Sequence, residues 1–456
     1  SNEIKNRTNG EIEWQKLQGY VYGKGIKTAH IFPSVYRFLW RCRNKGVIVE
    51  IVSHKTKYGH FDKDKCSLRE AATQFLKTNN ILQDNSRLVD KITFTNTQQD
   101  KIDYIKNNSF DYFIDDLEEI VNSKCLSKTE TILFNGATGK TWDEVNTYLL
   151  GGWGKEELMN VIKTVLPAKT ILSLEKIEGR ANSLVCKIVT NDAVYVSKIY
   201  PQSGGHDRLA AEYNSLKQLK ELSIPHVQTP VSCDKNLGVA IYNYIDGTKV
   251  LNHSCCDVKQ MLSILSELNS QQVKDKFATF NLASNVSLSG HEIELQIRER
   301  LISFNNAKDE YLDLKMFINN KFTTAVDKII SWSQDRWPNS YTEKLPKSEL
   351  VLSPSDFGFH NAIRSQSGEL YFHDFEYFGW DDPVKLIADV SHHAAFELSS
   401  EQEQLWLNGC IKIYGYSVLE RYKTAWPLYG LIWCLIILNE YNSTLWNRRT
   451  EANNLL

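Results

Sequence analysis

Long hydrophobic runs are missing from this sequence. The longest covers residues 428–438, about half of the ~20 residues that a membrane-spanning helix needs, so we interpret it as a buried helix. The nine cysteines include no C-x-x-C pair, which argues against a disulfide framework and favours reduced thiols in the cytosol. A net charge of −2 gives no general attraction to nucleic acid or membranes. We therefore expect a cytoplasmic protein without a nucleic-acid or membrane partner.

Repeats and low-complexity tracts are also missing, and the composition, 42% hydrophobic and 24% charged, is ordinary for a globular protein. At ~100–200 residues per domain, the 456 residues allow two to four domains. We predict one domain over residues 1–166 and a second over residues 167–456. The second is expected to have a small lobe, about 167–250, and a large lobe, about 251–456.

The stretch from residue 351 to residue 378 organises the chain. An apolar pair leads into Asp356, Asn361 follows five residues later, and Asp374 ends a second apolar run. The spacing D-x-x-x-x-N, a short hairpin and a further Asp is typical of phosphoryl-transfer sites in kinase-like folds. One Asp there accepts the proton of the attacking hydroxyl, and the Asn and second Asp hold magnesium through oxygen ligands. The alternative is an ordinary loop, since Asp and Asn are also common in turns.

Three short strands, consistent with an antiparallel meander, are predicted at residues 171–177, 184–190 and 194–200. The turn between the first two contains Gly179 and Ser183. Lys198 lies inside the third strand, where a charge often marks only the solvated face of an edge strand. A helical pattern follows in which Glu212 lies beside an apolar stripe, in position to pair with Lys198. A strand lysine held by a helix glutamate is the arrangement with which kinases contact nucleotide phosphates.

An apolar strand over residues 238–247 comes next, where an adenine-binding hinge belongs. The order of lysine, glutamate, hinge, Asp, Asn and Asp is that of a kinase-like fold. More narrowly, the hinge end and residues 374–383 resemble the aminoglycoside phosphotransferase and choline kinase-like family of small-molecule kinases. The resemblance covers about 280 residues of the chain.

The resemblance implies Asp356 as the catalytic base and Asn361 and Asp374 as magnesium ligands. It also implies that Lys198 contacts the phosphates of ATP and that Glu212 positions this lysine. The adenine would then bind the backbone near Asn243 and Ile245, with Tyr242 as gatekeeper, and the turn with Gly179 and Ser183 would cover the phosphates.

One residue departs from the family pattern. The family usually places a histidine two residues before the catalytic Asp, whereas Pro354 stands there in this chain. Proline fixes the backbone φ angle instead, which affects the loop geometry more than the chemistry. His360, beside the predicted magnesium ligand, is interpreted as a structural residue or a substrate contact.

The first domain alternates strands with helices. Strands are predicted at residues 46–53, 91–95, 110–117 and 131–134, and helices at 34–45, 68–78 and 142–149. Thr141 is expected to cap the last of these helices. The alternation predicts a parallel α/β sheet, in which ligands gather at the carboxyl ends of the strands. Ser53 and the pair Asp115 and Asp116 fall at such ends.

These residues resemble motifs of the haloacid dehalogenase superfamily of phosphatases. Ser53 matches its hydroxyl motif, Lys101 its phosphate-binding lysine, and Asp115 and Asp116 its acidic magnesium motif. That family attacks phosphate with an Asp of an N-terminal D-x-D strand motif, and no such motif precedes Ser53. We therefore expect these four residues to bind phosphate and metal without hydrolysis by this chain.

The predicted architecture is α/β plus α+β, a Rossmann-like haloacid dehalogenase-type domain followed by a bilobal protein-kinase-like domain. Helices of the large lobe are predicted at residues 258–271, 292–304, 311–334, 401–414 and 418–439. The predicted function is transfer of the γ-phosphoryl group of ATP, with Mg²⁺, to a hydroxyl of a small molecule. The acceptor is expected to be a sugar, a polyol, an amino alcohol or an aminoglycoside-like molecule, and a neutral sugar or polyol is favoured over an aminoglycoside. The alternatives are a phosphatase or bifunctional enzyme, and a non-catalytic nucleotide-binding module.

Overall fold

The structure is a computed structural model that describes residues 2–62, 64–82, 87–134, 141–177, 183–305 and 311–441. Two compact units are present: Ser1–Glu157 with Gln202–Gly204, and Leu158–Pro201 with Gly205–Leu456. The units part inside a helix, whereas the sequence placed a boundary after residue 166. Each unit is described by itself.

The first unit alternates helices with short strands. Its elements are α1 (Asn2–Lys5), α2 (Gly10–Tyr22), α3 (Val35–Asn44), β1 (Glu50–His54), α4 (Leu68–Thr78), β2 (Lys91–Thr95), α5 (Gln98–Asn108), β3 (Tyr112–Asp115), α6 (Glu118–Val121), β4 (Glu130–Leu133), α7 (Trp142–Leu150) and α8 (Lys155–Val165), the last of which runs into the second unit. The predicted cap of α7 is confirmed, because the Thr141 hydroxyl accepts from the Glu144 backbone and the Glu144 side chain accepts from Thr141.

The four strands of the first unit form two parallel pairs. β1 pairs with β2, and β3 pairs with β4. Both pairs pack on one hydrophobic core, to which Ile51, Ile92, Ile114 and Ile132 contribute, one from each strand. The predicted parallel pairing is therefore present in both pairs, but among the described residues no backbone ladder joins the pairs into a single sheet.

The second unit opens with an antiparallel sheet and one helix. The elements are β5 (Ile171–Lys176), β6 (Leu184–Thr190), β7 (Val194–Ile199), α9 (Arg208–Glu221), β8 (Pro230–Asp234) and β9 (Val239–Asn243). The strand order is β5-β6-β7-β9-β8, so the predicted antiparallel meander is confirmed. The strand predicted over residues 238–247 is shorter and ends at Asn243.

Helices dominate the rest of the second unit. The elements are β10 (Thr248–Lys249), α10 (Cys255–Leu268), α11 (Gln271–Lys276), α12 (Gly290–Asn305), α13 (Leu312–Phe317), α14 (Thr323–Arg336), β11 (Val351–Ser353), β12 (Ala362–Arg364), β13 (Leu370–Phe372), β14 (Gly379–Asp381), α15 (Pro383–His392), α16 (Ser400–Tyr414) and α17 (Ser417–Ile437). A π-helical segment, Ile318–Phe322, interrupts the helix predicted over residues 311–334. Helix α15 was not predicted, although Asp382 caps it and Pro383 occupies its first turn.

A single large core lies beneath these helices and includes the fully buried Trp406 and Tyr429. The predicted buried helix at residues 428–438 is part of α17, whose inner face contributes Leu428 and Leu435 to this core. Within the part of the chain that the structure describes, no helix combines the length and the apolar character needed to cross a membrane. All nine cysteines are free.

Candidate active site

Lys198 is the centre of a buried ion-pair network. It lies in β7 with its side chain 7% exposed, and its Nζ is 2.6 Å from Oε2 of Glu212 and 2.6 Å from Oδ1 of Asp374. Glu212 belongs to α9, and Asp374 follows β13. The predicted contact between Lys198 and Glu212 is therefore present, and the same lysine also holds the carboxylate that was predicted to bind magnesium.

Glu212 is fixed from several sides. Its Oε2 accepts a hydrogen bond of 2.7 Å from the Tyr200 hydroxyl, and its Oε1 accepts one of 3.3 Å from the Phe375 backbone. The Tyr200 hydroxyl is also 2.7 Å from that of Tyr242, the predicted gatekeeper, which is fully buried. A carboxylate held in this way has little freedom to move, so it fixes the position of Lys198.

The network keeps its lysine charged. Burial lowers the pKa of Lys198, but Asp374 and Glu212 outweigh this and hold that pKa well above its ordinary value. Burial raises the pKa of Glu212, and the Lys198 ammonium opposes this. For Asp374, burial raises the pKa, but Lys198 and His373 lower it further, so the net shift is downward. Lys198 and Asp374 therefore form a charged pair at neutral pH.

Asp356 occupies a turn directly after β11. Its backbone carbonyl accepts a hydrogen bond of 2.8 Å from Nδ2 of Asn361, and the Asn361 carbonyl accepts one of 3.0 Å from the His373 backbone. The preceding residue, Ser355, has a left-handed φ of 68°. Asn361 thus connects the Asp356 turn to the segment that carries Asp374. These hydrogen bonds hold the loop in place although Pro354 stands where the family usually has a histidine.

Two histidines contact the Asp356 carboxylate. Nε2 of His360 is 3.0 Å and Nε2 of His393 is 3.5 Å from Oδ1, and the two rings stack with centroids 3.9 Å apart. Burial raises the pKa of Asp356, but the hydrogen bonds from both histidines outweigh it and hold that pKa far below its ordinary range. His360 is therefore a structural partner of Asp356. His393 could not be found from the sequence, because it follows α15 and reaches Asp356 only through the packing of that helix.

Glu376 is the second residue that sequence reasoning missed. Its carboxylate lies 2.7 Å from Arg208, 3.3 Å from the Ser183 hydroxyl and 4.0 Å from Lys198. Oxygens of Glu212, Asp374 and Glu376 lie within 4.8 Å of one another. Its position two residues after a predicted metal ligand was the available signal.

The predicted magnesium ligands differ in exposure. Asp374 faces the cleft and, despite being a non-glycine residue, has a left-handed φ of 68°. Asn361 is 8% exposed, and because its amide nitrogen donates to Asp356, its amide oxygen is the end left to accept. Carboxylate and amide oxygens are the donors that magnesium prefers. The donor atoms of Asp374 and Asn361 therefore suit magnesium, although only Asp374 is among the residues that line the cleft.

The predicted adenine contacts are only partly available. The Asn243 N–H already donates to the Thr229 carbonyl at 2.9 Å, and the Asn243 carbonyl accepts from Gln228 at 3.4 Å. The backbone contact proposed for Asn243 would therefore have to displace one of these. Ile245, beyond the end of β9, makes no backbone hydrogen bond with a described residue. Gly179 lies outside the described residues.

Asp356 and Asp374 line one cleft of about 680 Å³. Beyond Asp356 its wall includes Arg300 of α12, Asp389 of α15 and Trp433 of α17. Trp433 thus lines the cleft, and its indole donates a hydrogen bond of 2.9 Å to Asp389. A larger groove of about 950 Å³ runs along α9 and contains none of the predicted site residues.

Two of the four residues predicted in the first unit are in contact. Nζ of Lys101 is 2.5 Å from Oδ2 of Asp115, and both side chains are buried, whereas Asp116 is exposed. Ser53 lies near the carboxyl end of β1 and Asp115 at that of β3, as predicted. Burial and Lys101 lower the pKa of His54, the residue after Ser53, and Asp115 partly opposes them.

No protein-family model matches the chain, and no curated protein matches it. Among solved structures, a spectinomycin phosphotransferase in complex with ADP and spectinomycin is similar at 14% identity, over 65% of this chain and 93% of that chain, with a TM-score of 0.48. A choline kinase from Streptococcus pneumoniae is similar at 15% identity, over 65% and 98%, with a TM-score of 0.42. An ethanolamine kinase from Plasmodium vivax is similar at 12% identity, over 71% and 96%, with a TM-score of 0.43.

Proposed function

We propose that the second unit transfers the γ-phosphoryl group of ATP to a hydroxyl of a small molecule. The observation that carries this proposal is that Asp356 and Asp374 line one cleft and that Lys198 is ion-paired with Asp374. Phosphoryl transfer needs little covalent chemistry from a protein, and positioning and charge neutralisation supply most of the rate. Asp356 can position the acceptor at this cleft, and the charged groups at Asp374 can neutralise phosphate charge.

Asp356 is assigned to the acceptor hydroxyl. Its side chain is 38% exposed, so a hydroxyl can reach it, and two histidines fix its orientation. The low pKa keeps it ionised but makes it a weak base. We therefore assign it mainly to orienting the hydroxyl, with proton acceptance late in the transfer.

Lys198 and Asp374 are assigned to the nucleotide. Lys198 would contact the phosphates, with Glu212 holding it in place. Asp374 and Asn361 would hold magnesium, which supplies neutralisation of the phosphate charge when it is bound. In the structure the Lys198 ammonium forms an ion pair with the Asp374 carboxylate, so magnesium and the lysine would compete for this carboxylate. The Ser183 hydroxyl donates a hydrogen bond to the Glu376 carboxylate, and Ser183 remains a candidate residue of the turn that would cover the phosphates.

For the first unit we propose phosphate or metal binding without hydrolysis. The support is the buried Lys101–Asp115 pair, in which Asp115 stands at the carboxyl end of β3, and Ser53 near the carboxyl end of β1. Hydrolysis by the mechanism of the haloacid dehalogenase superfamily needs a nucleophilic Asp on a neighbouring strand, and the described strands place none there apart from Asp115 itself, which Lys101 occupies.

The test is a phosphorylation screen with ATP and magnesium. Sugars, polyols, amino alcohols and aminoglycosides are offered as acceptors, and transfer of labelled phosphate is measured for the wild-type chain and for Asp356→Asn. Transfer that depends on Asp356 supports the proposal. Nucleotide binding without any ATP turnover would instead favour the non-catalytic nucleotide-binding module. The cytoplasmic location stays a prediction.

A further inference from the structure

The cleft continues past Asp356 into a part bounded by α12, α15 and α17. Arg300 and Gln296 stand one turn apart on α12 and both line this part. Gln296 is held by its own segment, since its amide donates to the Asn285 carbonyl at 2.9 Å and to the Ser287 hydroxyl at 2.8 Å. Arg300 is half-buried and faces the same space.

The guanidinium of Arg300 has no partner among the described residues. The Arg300 side chain donates no hydrogen bond to a described residue. No carboxylate oxygen of a described residue lies within 4 Å of its guanidinium, the distance at which the two would form an ion pair. Burial lowers the pKa of Arg300, and the negative charge of Asp389 opposes this lowering only in part. The Asp389 carboxylate is itself engaged, 3.1 Å from the Lys385 ammonium and 2.9 Å from the Trp433 indole.

Other arginines of the same unit show what is missing. Arg208, Arg298, Arg364 and Arg421 each pair with a carboxylate. Removing a guanidinium from water without a partner is unfavourable, so native structures almost always provide one. At Arg300 the open side is the cleft itself, which points to a partner that arrives from solution.

We infer that Arg300 binds an oxyanion, a carboxylate or a phosphate group, carried by the hydroxyl acceptor. The inference rests on the proposed phosphoryl transfer and narrows its acceptor from sugars and polyols in general to anionic ones. The planar guanidinium presents parallel N–H donors that match the two oxygens of either group. Glu440 also lines this part of the cleft, but its side chain is exposed and its charge is well hydrated.

The test compares four acceptors with one ring: glucose, glucosamine, glucuronate and glucose 6-phosphate. Binding is measured by calorimetry with ADP and magnesium saturating, so that the nucleotide half of the cleft is filled, and ATP-dependent phosphorylation is measured in parallel. Glucuronate or glucose 6-phosphate should bind more tightly than glucose and glucosamine. Arg300→Gln should weaken that binding by about ten- to a hundredfold and leave the affinity for ADP unchanged.

Two further variants make the result interpretable. Arg300→Lys keeps the charge and should restore part of the affinity. Arg298→Gln removes a charge from the same helix, but that arginine pairs with Glu294 and Asp327, so its variant should bind like the wild type. Equal binding of all four sugars, or equal losses in the variants of Arg298 and Arg300, overturns the inference. Binding that depends on Arg300 without phosphorylation of any sugar would uphold it and count against the transfer reaction.

Discussion

Replacing Asp356 by asparagine isolates the role of its charge. The substitution keeps the shape of the side chain and an oxygen that His360 and His393 can still contact, and it removes the acceptor for the hydroxyl proton. General-base assistance is typically worth ~10²–10⁴-fold in rate. The pKa of Asp356 is already far below its ordinary range, so the carboxylate is a weak base and the expected loss of kcat is at the lower end, about 10²- to 10³-fold.

The assay is steady-state kinetics with an acceptor found by the screen, together with nucleotide titration on the same variant. The affinity for ATP should stay within a few-fold, because Lys198 and its partners make no hydrogen bond or ion pair with Asp356. Asp335→Asn, an exposed change on α14, is the control and should behave like the wild type. Near-normal turnover would reject the role of Asp356, and loss of ATP binding would move Asp356 to the nucleotide site.

Four more outcomes follow. Asp374→Ala should weaken Mg-ATP binding with the fold intact, and unchanged affinity in calorimetry would remove Asp374 from the metal site. Glu212→Ala should lower the free energy of unfolding by about 1–3 kcal/mol, measured by denaturant titration, because Lys198 loses one of its two close carboxylates and keeps Asp374. The chain should not hydrolyse an aryl phosphate; turnover lost in Asp115→Asn but kept in Asp356→Asn would mean that a nucleophile was missed. The two histidines lower the pKa of Asp356, so its carboxylate stays charged below about pH 4, where an ordinary Asp would already be protonated, and loses its charge only in stronger acid. No fall in kcat/KM between about pH 5 and 8 should therefore trace to Asp356, as a pH profile of both forms will show.

Contacts between residues that belong to recognisable strand, helix or turn patterns close together in the sequence were predictable. Lys198 lies inside a short strand and Glu212 lies beside an apolar helical stripe that follows it, and these two local patterns suggested that the residues pair. The spacing of Asp356, Asn361 and Asp374 likewise predicts a turn and a hairpin. In the structure the Asn361 side chain donates to the Asp356 carbonyl, and the Asn361 carbonyl accepts from the backbone of His373, next to Asp374.

Contacts between distant elements were not predictable. His393 and Arg208 reach Asp356 and Glu376 only because α15 and α9 pack where they do, and no spacing in the sequence encodes that distance. The backbone of Asn243 was expected to be open, but the neighbouring strand uses its N–H. Burial and hydrogen bonding of this kind depend on tertiary packing, which periodicity does not report.

The shared lysine has a consequence for how the site receives its ligands. The carboxylates of Glu212, Asp374 and Glu376 surround the two cations Lys198 and Arg208, so both cations are engaged in the resting network. Under the proposed assignment, a polyphosphate that arrives alone would have to break the pair of Lys198 with Asp374. A polyphosphate that arrives with a divalent cation would supply a new partner for the carboxylate that the lysine releases. The proposed site would therefore favour nucleotide that arrives with its cation over free nucleotide.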